Sequence, residues 1–329
     1  MSQGHIFLYE YACAIGPESQ LPESICIEGR AMRDALAEDL VRAGWEVILL
    51  DHVSGTEEYH HFEQCLRKAD AAWIIAPEID RILVTRCQWV EAAGVPLLGT
   101  SSETLSWLTD KWQQFLILRQ NGVPVPPSTL EPPGDLDMTY IRKPRYGAGA
   151  CDIQIWPSAW APPQVTPMRS EHTTSSFGTV PNYLWQRYVP GQAASIACLC
   201  GPGQQVLLRA AAQRIDPENN FRYCGGYLPL PAPLELRTKR LAKLALAALP
   251  SLRGYIGMDL VLGPSPDGSE DYIIEINPRL TTSYLGQRAL CEQNLAELAL
   301  AIIKGRTVDE PSWRDGGIRF DTQGNIYPC

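Results

Sequence analysis

The chain has 329 residues, of which 45% are hydrophobic and 20% are charged, so it is long enough for two or three domains with buried cores. Its formal net charge of −9 argues against a nucleic-acid-binding protein and against one that binds anionic membranes. No run reaches the roughly 18 apolar residues of a membrane span, and no signal-peptide pattern is evident, so we expect a cytoplasmic protein with reduced cysteines.

The first hundred residues alternate between short apolar runs and helical patterns. The expected strands are residues 5–9, 45–50, 71–76 and 96–99, and the expected helices are residues 27–43, 59–68 and 79–93. This alternation predicts a small parallel sheet covered by helices, a Rossmann-like domain over residues 1–100. No GxGxxG motif follows the first strand, so we expect no dinucleotide site, and the loop at residues 10–16 is a candidate wall for a substrate site.

A second unit begins near Ser101. Asp110 opens a helix that carries Lys111 at its start, and residues 140–144 form a strand that runs into a glycine-containing loop. Further along, the patterns predict a mobile loop or insertion over 157–181, a hairpin between 183–189 and 194–200, a strand over 205–212, helices over 236–249 and 290–304, and an accessory tail from 311.

Three oxygen-bearing side chains are predicted to share one face of a hairpin near the end of the second unit. Side chains alternate along a strand, so Glu275 and Asn277 point the same way. Residues 263–269 have turn composition, and the symmetry of the hairpin places Asp259 opposite Glu275. Two carboxylates and an amide oxygen suit a magnesium ion carried by nucleotide phosphates. The alternative is a solvated outer face of a sheet.

A glycine-containing loop with nearby lysines is a candidate phosphate site. Lys143 lies on the strand that leads into the sequence Arg-Tyr-Gly-Ala-Gly at 145–149, and glycines allow backbone N–H groups to approach polyphosphate oxygens. Lys111 is a second candidate phosphate contact. Taken singly, glycines of this kind are also typical of an ordinary turn. A lysine at the start of a helix is, taken singly, typical of a solvated surface.

The order of these motifs resembles the ATP-grasp superfamily of carboxylate–amine ligases, over residues from about 100 to 305. The resemblance implies an α/β and α+β protein, with an ATP-grasp fold preceded by the small Rossmann-like parallel-sheet domain. It implies a lid subdomain over 101–185 with the glycine-rich loop, a C-terminal subdomain over 186–310 with the magnesium site, and a tail over 311–329. ATP would lie between the two subdomains.

The resemblance also implies roles for particular residues. The ATP contacts would be Lys111, Lys143, Tyr146, Gly147, Ala148, Gly149, Gln186, Arg187, Tyr188 and Val189, the last four touching adenine. Asp259, Glu275 and Asn277 would hold one or two Mg²⁺ ions, with Mn²⁺ as an alternative. Many members carry an acidic residue at the adenine hinge or just after the hinge glycine. Here those positions read Gln186-Arg187 and Gln192-Ala193, so Asp216 or Glu218 are the candidate substitutes.

The implied reaction activates a carboxylate. Transfer of the γ-phosphoryl group of ATP makes an acyl phosphate, and an amine then displaces phosphate to form an amide. Magnesium, the two lysines and Arg279 would offset charge as the phosphoryl group moves, so Arg279 and Lys143 are the catalytic candidates. The partners would be small molecules, an amino-acid carboxylate and an amine, and a homodimer is the default for the superfamily.

Further motifs resemble one branch of the superfamily, the tyramine–L-glutamate ligases of methanofuran biosynthesis. These motifs are QRI at 213–215, FRYCGG at 221–226 and the TTSYLG that follows Arg279. The branch implies that the γ-carboxyl of glutamate is joined to the amine of tyramine or tyrosine. The candidate substrate contacts are Glu10, Arg214, Arg222, Tyr223, Thr281, Thr282 and Ser283. Arginine suits a substrate with two carboxylates because its guanidinium binds them in a bidentate fork.

Two alternatives stay open at the level of sequence. One is another ATP-grasp amino-acid ligase, making a dipeptide, a D-Ala-D-Ala-like product or a carbamoyl-type product. The other is an ATP-binding regulatory module without ligase activity. The presence of Lys143, Asp259, Glu275, Asn277 and Arg279 argues against the second, because a binding module has no need of the whole set.

Overall fold

The computed structural model describes residues 3–134, 137–149, 152–156, 172–175, 178–216 and 221–329. Most of the predicted loop at 157–181 therefore lies outside the described residues, as does Glu218. In the described part of the chain, no helix is both long enough and apolar enough to cross a membrane.

The N-terminal domain contains a three-stranded parallel sheet in the order β2-β1-β3. Its strands are β1 (His5–Glu10), β2 (Glu46–Ile48) and β3 (Ala71–Ile75), and its helices are α1 (Tyr11–Ile15), α2 (Glu23–Arg42), α3 (Glu58–Leu66) and α4 (Ile82–Ala92), with 3-10 turns at Gly16–Ser19 and Ile79–Arg81. The predicted alternation is confirmed. The predicted strand at 96–99 contributes only an isolated bridge between Ala72 and Leu97, so the sheet has three strands rather than four.

A four-stranded antiparallel sheet, in the order β4-β9-β5-β6, follows in the chain. This part contains α5 (Ser102–Leu108), α6 (Lys111–Gln120), β4 (Ser128–Thr129), β5 (Tyr140–Pro144), β6 (Gln154–Trp156), the paired strands β7 (His172–Ser175) and β8 (Gly178–Pro181), and β9 (Tyr183–Arg187). Helix α6 begins where the sequence predicts, because the Asp110 side chain caps it by accepting a hydrogen bond from the Trp112 N–H at 2.9 Å.

The largest sheet has eight strands, in the order β15-β14-β10-β12-β13-β16-β17, with β11 also paired to β10. Its strands are β10 (Gln192–Cys200), β11 (Gln205–Leu207), β12 (Ala211–Asp216), β13 (Arg222–Leu228), β14 (Gly254–Leu262), β15 (Tyr272–Asn277), β16 (Ile318–Phe320) and β17 (Ile326–Pro328), and the helices in this part are α7 (Ala232–Ala248), α8 (Ser283–Leu290) and α9 (Leu295–Ile303).

Three expectations about this part of the chain are wrong. The strands before and after Pro190-Gly191 do not form a hairpin, because β9 belongs to the four-stranded sheet and β10 pairs with β14, β12 and β11. Residues 290–304 are not one helix, since Asn294 starts α9 by accepting from two backbone N–H groups. The tail is not accessory: β16 extends the large sheet, and its Phe320 is completely buried in the core.

The hydrophobic cores join the N-terminal domain to the large sheet. Alternate residues of β1 and of β10 face different cores, as the strand period requires. Ile6 and Leu8 of β1 belong to the same core as Ala197 and Leu199 of β10, together with residues of α8 and α9. The opposite face of β10 packs against α7. The N-terminal domain is therefore fixed to one face of the large sheet.

A buried carboxylate reinforces this junction. Asp39 of α2 is only 4% exposed and accepts hydrogen bonds from two residues of α8. The Tyr284 hydroxyl donates at 2.6 Å, and Arg288 donates from Nε at 2.7 Å and from Nη2 at 2.6 Å. A charge-assisted cluster of this kind fixes α2 in one position relative to α8.

Replacing Asp39 tests this junction. Asp39→Ala is expected to lower the free energy of unfolding by about 3 kcal/mol, because it leaves the Arg288 guanidinium and the Tyr284 hydroxyl without their shared acceptor. Urea denaturation followed by tryptophan fluorescence measures the change. Asp34→Ala, on the same helix but with a side chain that is 57% exposed, is the matched control and is expected to cost less than about 1 kcal/mol. Equal losses in the two variants would contradict the assignment.

Candidate active site

A cavity of about 440 Å³ lies where the N-terminal domain, the four-stranded sheet and the large sheet meet. Most of the predicted site residues line it. They are Glu10, Lys111, Lys143, Gly147, Ala148, Gly149, Gln186, Arg187, Tyr188, Val189, Tyr223, Asp259, Glu275, Asn277, Arg279, Thr281, Thr282 and Ser283. Side chains that are far apart in the chain therefore meet in one place.

The predicted hairpin forms with the predicted register. Asp259 of β14 pairs with Glu275 of β15, and Gly257 pairs with Asn277, so the three oxygen-bearing side chains share one face. Asp259 accepts from the Gln213 Nε2 at 2.7 Å and from the Asn277 Nδ2 at 2.9 Å. Burial and the negative charge of Glu275 together raise the pKa of Asp259 to about 6, although its hydrogen bonds with Gln213 and Asn277 oppose the rise. A cation between the two carboxylates would relieve both effects.

The donor set fits a divalent ion that is shared with a bound nucleotide. In the described ranges no group of three or more His, Cys, Asp or Glu side chains forms a complete metal cage. Two carboxylates and an amide leave several coordination positions for water and phosphate oxygens, which is how Mg²⁺ is usually held. Ser195, which pairs with Asp259 across β10 and β14, also has a buried hydroxyl without a partner in the described structure. A water on the ion would give that hydroxyl a partner.

Two lysines face this carboxylate pair. The Lys111 Nζ lies 3.0 Å from the Glu275 Oε1 and donates to the Gly147 carbonyl at 2.7 Å. The Lys143 Nζ donates to the Gln186 Oε1 at 2.9 Å. Burial lowers the pKa of Lys143 to about 8, and the charge of Lys111 acts in the same direction, while Glu275 and Asp259 oppose it. The cavity therefore has a cationic wall beside its two carboxylates.

The glycine-containing loop is held against the start of α6. Arg145 donates to both carboxylate oxygens of Asp110, and the Lys111 N–H donates to the Arg145 carbonyl at 3.1 Å. The Tyr146 hydroxyl also donates to Asp110, at 3.2 Å, so Tyr146 supports the loop and does not line the cavity. Gly149 has a φ of +65°, a conformation that favours glycine. One capping carboxylate thus places both the loop and Lys111.

Gln114 is a positioning residue that the sequence did not reveal. Strand β15 is an edge of the large sheet, so its outer backbone groups need partners from elsewhere. The buried Gln114 side chain of α6 supplies them. Its Nε2 donates to the Ile276 carbonyl at 2.8 Å, and its Oε1 accepts from the Ile276 N–H at 2.9 Å. Because Ile276 lies between Glu275 and Asn277, Gln114 fixes the strand that carries both.

Arg279 is held by a residue of the N-terminal domain. Its Nε and Nη2 donate to the two carboxylate oxygens of Glu78 at 2.8 and 2.9 Å, and the Glu78 side chain is 2% exposed. The pKa of Arg279 is raised, because the negative charges of Glu78, Glu275 and Glu28 outweigh the opposing effect of burial. Glu78 therefore orients the Arg279 guanidinium in the cavity wall, and no sequence pattern indicates this pair.

The predicted substrate residues divide into two groups. Thr281, Thr282 and Ser283 line the cavity, and the Thr281 and Ser283 hydroxyls are 3.0 Å apart. Arg214 and Arg222 do not line it, and both are exposed. Their neighbours in the chain, Gln213 with Ile215 and Phe221 with Tyr223, line the cavity instead, so the two arginines point away from it. The structure does not bring these two arginines to the cavity.

Glu10 has a structural contact in addition to its place in the cavity wall. Its carboxylate caps α1 by accepting from the Ala12 and Cys13 N–H groups at 3.2 and 2.8 Å. Burial raises the pKa of Glu10, and these hydrogen bonds oppose that rise. The side chain is thus fixed before any substrate binds.

The predicted adenine segment runs along one wall of the cavity. The Arg187 N–H donates to the Pro127 carbonyl and the Tyr188 N–H to the Thr139 carbonyl, both at 2.9 Å, so these two donors are already engaged. Asp216, a candidate substitute for the missing hinge acid, lies 4.0 Å from Arg222 and outside the cavity lining. The structure therefore does not bring that carboxylate to the predicted nucleoside position.

Comparison with known proteins identifies the architecture. A family model described as an ATP-grasp domain matches residues 108–283, and one described as a pre ATP-grasp 3 domain matches residues 30–105. The chain belongs to the ATP-grasp family. The structure of an ATP-grasp superfamily protein from Archaeoglobus fulgidus has a TM-score of 0.71 and 25% identity, over 96% of this chain and 92% of that one.

Proteins of named activity are also similar to this chain. Proteins named tyramine–L-glutamate ligase from Methanocaldococcus fervens and Methanocaldococcus jannaschii are 26% and 24% identical to this chain. The matches cover 96% of this chain in both cases, and 98% and 93% of the relatives. An N5-carboxyaminoimidazole synthetase from Staphylococcus aureus, complexed with ADP, has a TM-score of 0.67 at 12% identity, over 97% of this chain and 82% of that one.

Removing the Gln114 amide tests how this ATP-grasp site is positioned. Gln114→Leu is expected to cost about 1–3 kcal/mol for each of the two Ile276 backbone groups that it leaves unpaired, and to weaken binding of Mg-ATP. Gln113→Leu is the matched control, because the helical period turns the preceding residue away from Ile276. Urea denaturation and calorimetric titration with Mg-ATP measure both effects. Unchanged binding in Gln114→Leu would contradict the positioning role.

The lowered pKa of Lys143 predicts how the affinity of this ATP-grasp protein for Mg-ATP depends on pH. The free Lys143 amine is charged below a pH of about 8 and neutral above it. If it binds phosphate, affinity for Mg-ATP is expected to be steady from about pH 7 to 8 and to fall up to about tenfold per pH unit above that. Lys143→Arg keeps its charge, so its profile is expected to be flat. A flat profile in the unaltered protein would argue against Lys143 as a phosphate contact.

Proposed function

We propose that the protein is an ATP-dependent ligase that phosphorylates the γ-carboxyl of L-glutamate and joins it to the amine of tyramine or tyrosine, as in methanofuran biosynthesis. The observation that carries the ligase chemistry is the pairing of Asp259 with Glu275 opposite Lys111 and Lys143 in one cavity. The choice of substrates is supported by the two relatives named tyramine–L-glutamate ligase, which match over nearly their whole length.

ATP would lie between a lid subdomain over residues 101–185 and a C-terminal subdomain over residues 186–310. The adenine ring would contact the segment from Gln186 to Val189. The phosphates of ATP would contact Lys111, Lys143 and the loop from Gly147 to Gly149. Asp259, Glu275 and Asn277 would hold one or two Mg²⁺ ions, or Mn²⁺ in their place. The metal would neutralise charge on the phosphate oxygens while the γ-phosphoryl group moves.

The chain's own residues account for the activation step. A carboxylate of the substrate attacks the γ-phosphorus, and ADP leaves. The Lys143 ammonium and the Arg279 guanidinium face the oxygens on which negative charge collects. Arg279 can serve in this way without a large rearrangement, because Glu78 already fixes its plane. The acyl phosphate would lie beside Thr281, Thr282 and Ser283, whose hydroxyls line the cavity.

Glu275 tests the metal-binding part of the proposal. Glu275→Gln is expected to lower kcat by about 10²-fold or more, because it removes one of two carboxylates from the ion while keeping the shape of the side chain. Phosphate release with Mg-ATP, L-glutamate and tyramine measures the rate, and circular dichroism checks the fold. Glu270→Gln, in the turn of the same hairpin, is the matched control. Ordinary turnover in Glu275→Gln would remove the metal assignment.

The substrates need a separate test. Purified protein with Mg-ATP is screened for phosphate release across amino-acid carboxylates and amines, and we expect release to require both L-glutamate and tyramine or tyrosine. Turnover with a different pair would replace these substrates and keep the ligase class. Binding of ATP without turnover on any pair would favour a regulatory module.

A further inference from the structure

One face of α2 forms a compartment of the cavity that the steps above do not use. Ile25, Glu28, Gly29 and Met32 recur at helical spacing and all line the cavity. Ile75, Ala76 and Pro77, at the end of β3, lie in the same lining. The compartment is therefore largely apolar, and Glu28 gives its helical wall one ionisable group.

Glu28 is held in a defined position next to the expected acyl phosphate. Its Oε2 accepts a hydrogen bond from the Thr282 hydroxyl at 2.6 Å. Burial raises the pKa of Glu28, while the Thr282 hydrogen bond and the charge of Arg279 oppose the rise. A carboxylate that has lost much of its hydration, with an edge still open to a cavity, gains from a cationic ligand.

A second carboxylate adds to the negative field of this compartment. Gly29 allows α2 to approach Glu10 closely, since a Cβ at Gly29 would lie 2.4 Å from the Glu10 Oε1. Glu10 and Glu28 thus belong to the same part of the lining. The nearby cation Arg279 already binds Glu78 through two of its nitrogens. A substrate carboxylate is disfavoured here, and an ammonium is favoured.

The other walls of the compartment indicate the chemistry of the rest of the ligand. The apolar side chains of α2 and β3 would cover a hydrocarbon or ring, and Tyr223 lines the same cavity. The charge of Glu28 contributes to the raised pKa of Tyr223, after burial, so the two side chains are near one another. The complementary ligand is a primary ammonium on an apolar or aromatic body.

We propose that this compartment is the amine subsite, and that Glu28 anchors the ammonium of the incoming amine and accepts its proton. The proposal rests on the function proposed above, in that it needs an acyl phosphate beside Thr282. It adds the place where the amine binds and the residue that selects it.

The ammonium R–NH₃⁺ gives one proton to the Glu28 carboxylate, which exposes the nitrogen lone pair. The lone pair attacks the carbonyl carbon of the acyl phosphate, so a C–N bond forms and the C–O bond to phosphate breaks. Inorganic phosphate leaves with the electron pair of that bond, and the nitrogen loses its second proton to phosphate or water. The products are the amide, phosphate and, from the first step, ADP.

Hydroxylamine separates this role from a general effect on the site. It is uncharged near neutral pH, so it can trap an acyl phosphate as a hydroxamate without giving up a proton first. The full-length protein with Mg-ATP and L-glutamate is assayed with tyramine and, separately, with hydroxylamine. Glu28→Gln is expected to lower kcat/KM for tyramine by about 10²-fold or more and to change hydroxamate formation by less than about threefold. Glu23→Gln, an exposed residue in the first turn of α2, is expected to change neither.

Two results in this assay would overturn the proposal. Equal losses with tyramine and with hydroxylamine would mean that Glu28 acts on the fold or on formation of the acyl phosphate. No loss with tyramine would mean that the amine binds elsewhere. Absence of hydroxamate from L-glutamate in the unaltered protein is a different failure, because it counts against the proposed carboxylate substrate.

A binding measurement decides the amine subsite even in that case. Titration calorimetry compares tyramine with tyrosol, the alcohol that carries a hydroxyl in place of the ammonium. The unaltered protein is expected to bind tyramine at least about tenfold more tightly than tyrosol, and Glu28→Gln is expected to lose that preference. Equal binding of the two compounds by the unaltered protein, or an unchanged preference in Glu28→Gln, would overturn the proposal.

Discussion

Asp259 and Glu275 lie side by side in a cavity. Placing two carboxylates together there is unfavourable, and many of the surrounding residues offset their charge or hold them in position. Burial and the negative charge of Glu275 together raise the pKa of Asp259 to about 6, so positive charge nearby stabilises its ionised form. Lys111 supplies some of it through a 3.0 Å contact with Glu275. A divalent ion brought in with a nucleotide would supply the rest. The site therefore suits a nucleotide that brings a divalent cation with it.

The supports of this pair come from three parts of the chain. Helix α6 contributes Lys111, and its Gln114 fixes the edge strand that carries Glu275. The cap of the same helix, Asp110, holds the glycine-containing loop through Arg145. The N-terminal domain contributes Glu78, which orients Arg279. A change in Gln114, Asp110 or Glu78 would therefore alter the cavity through the residues that each of them holds in place.

The cavity separates two kinds of chemistry. Its polar end, with the paired carboxylates, the lysines and the glycines, suits phosphates and metal. Its other end is lined by α2 and the end of β3, where apolar side chains surround Glu28. Arg279 and the hydroxyls from Thr281 to Ser283 lie between the two. An acyl phosphate formed at that boundary would face its nucleotide on one side and its amine on the other. In that arrangement the N-terminal domain would supply the wall of the amine subsite.

Features that depend on local spacing can be predicted from the order of residues alone. The hairpin register that pairs Asp259 with Glu275 followed from strand alternation around a turn, and the start of α6 followed from a capping aspartate. The alternation of strands and helices predicted the parallel N-terminal sheet. The order of the motifs indicated the ATP-grasp family, to which the chain belongs.

Contacts between distant segments became visible only in the folded protein. Glu78 with Arg279, Gln114 with Ile276, and Glu28 with Thr282 are separated by 201, 162 and 254 residues, and no local pattern encodes such pairs. The strands on either side of Pro190-Gly191 look like a hairpin in sequence, yet the burial of β10 requires neighbours that come from elsewhere in the chain. Arg214 and Arg222 have the right chemistry for a carboxylate, but they are exposed and point away from the cavity. Residue type set what each side chain can do, and packing set which of them meet.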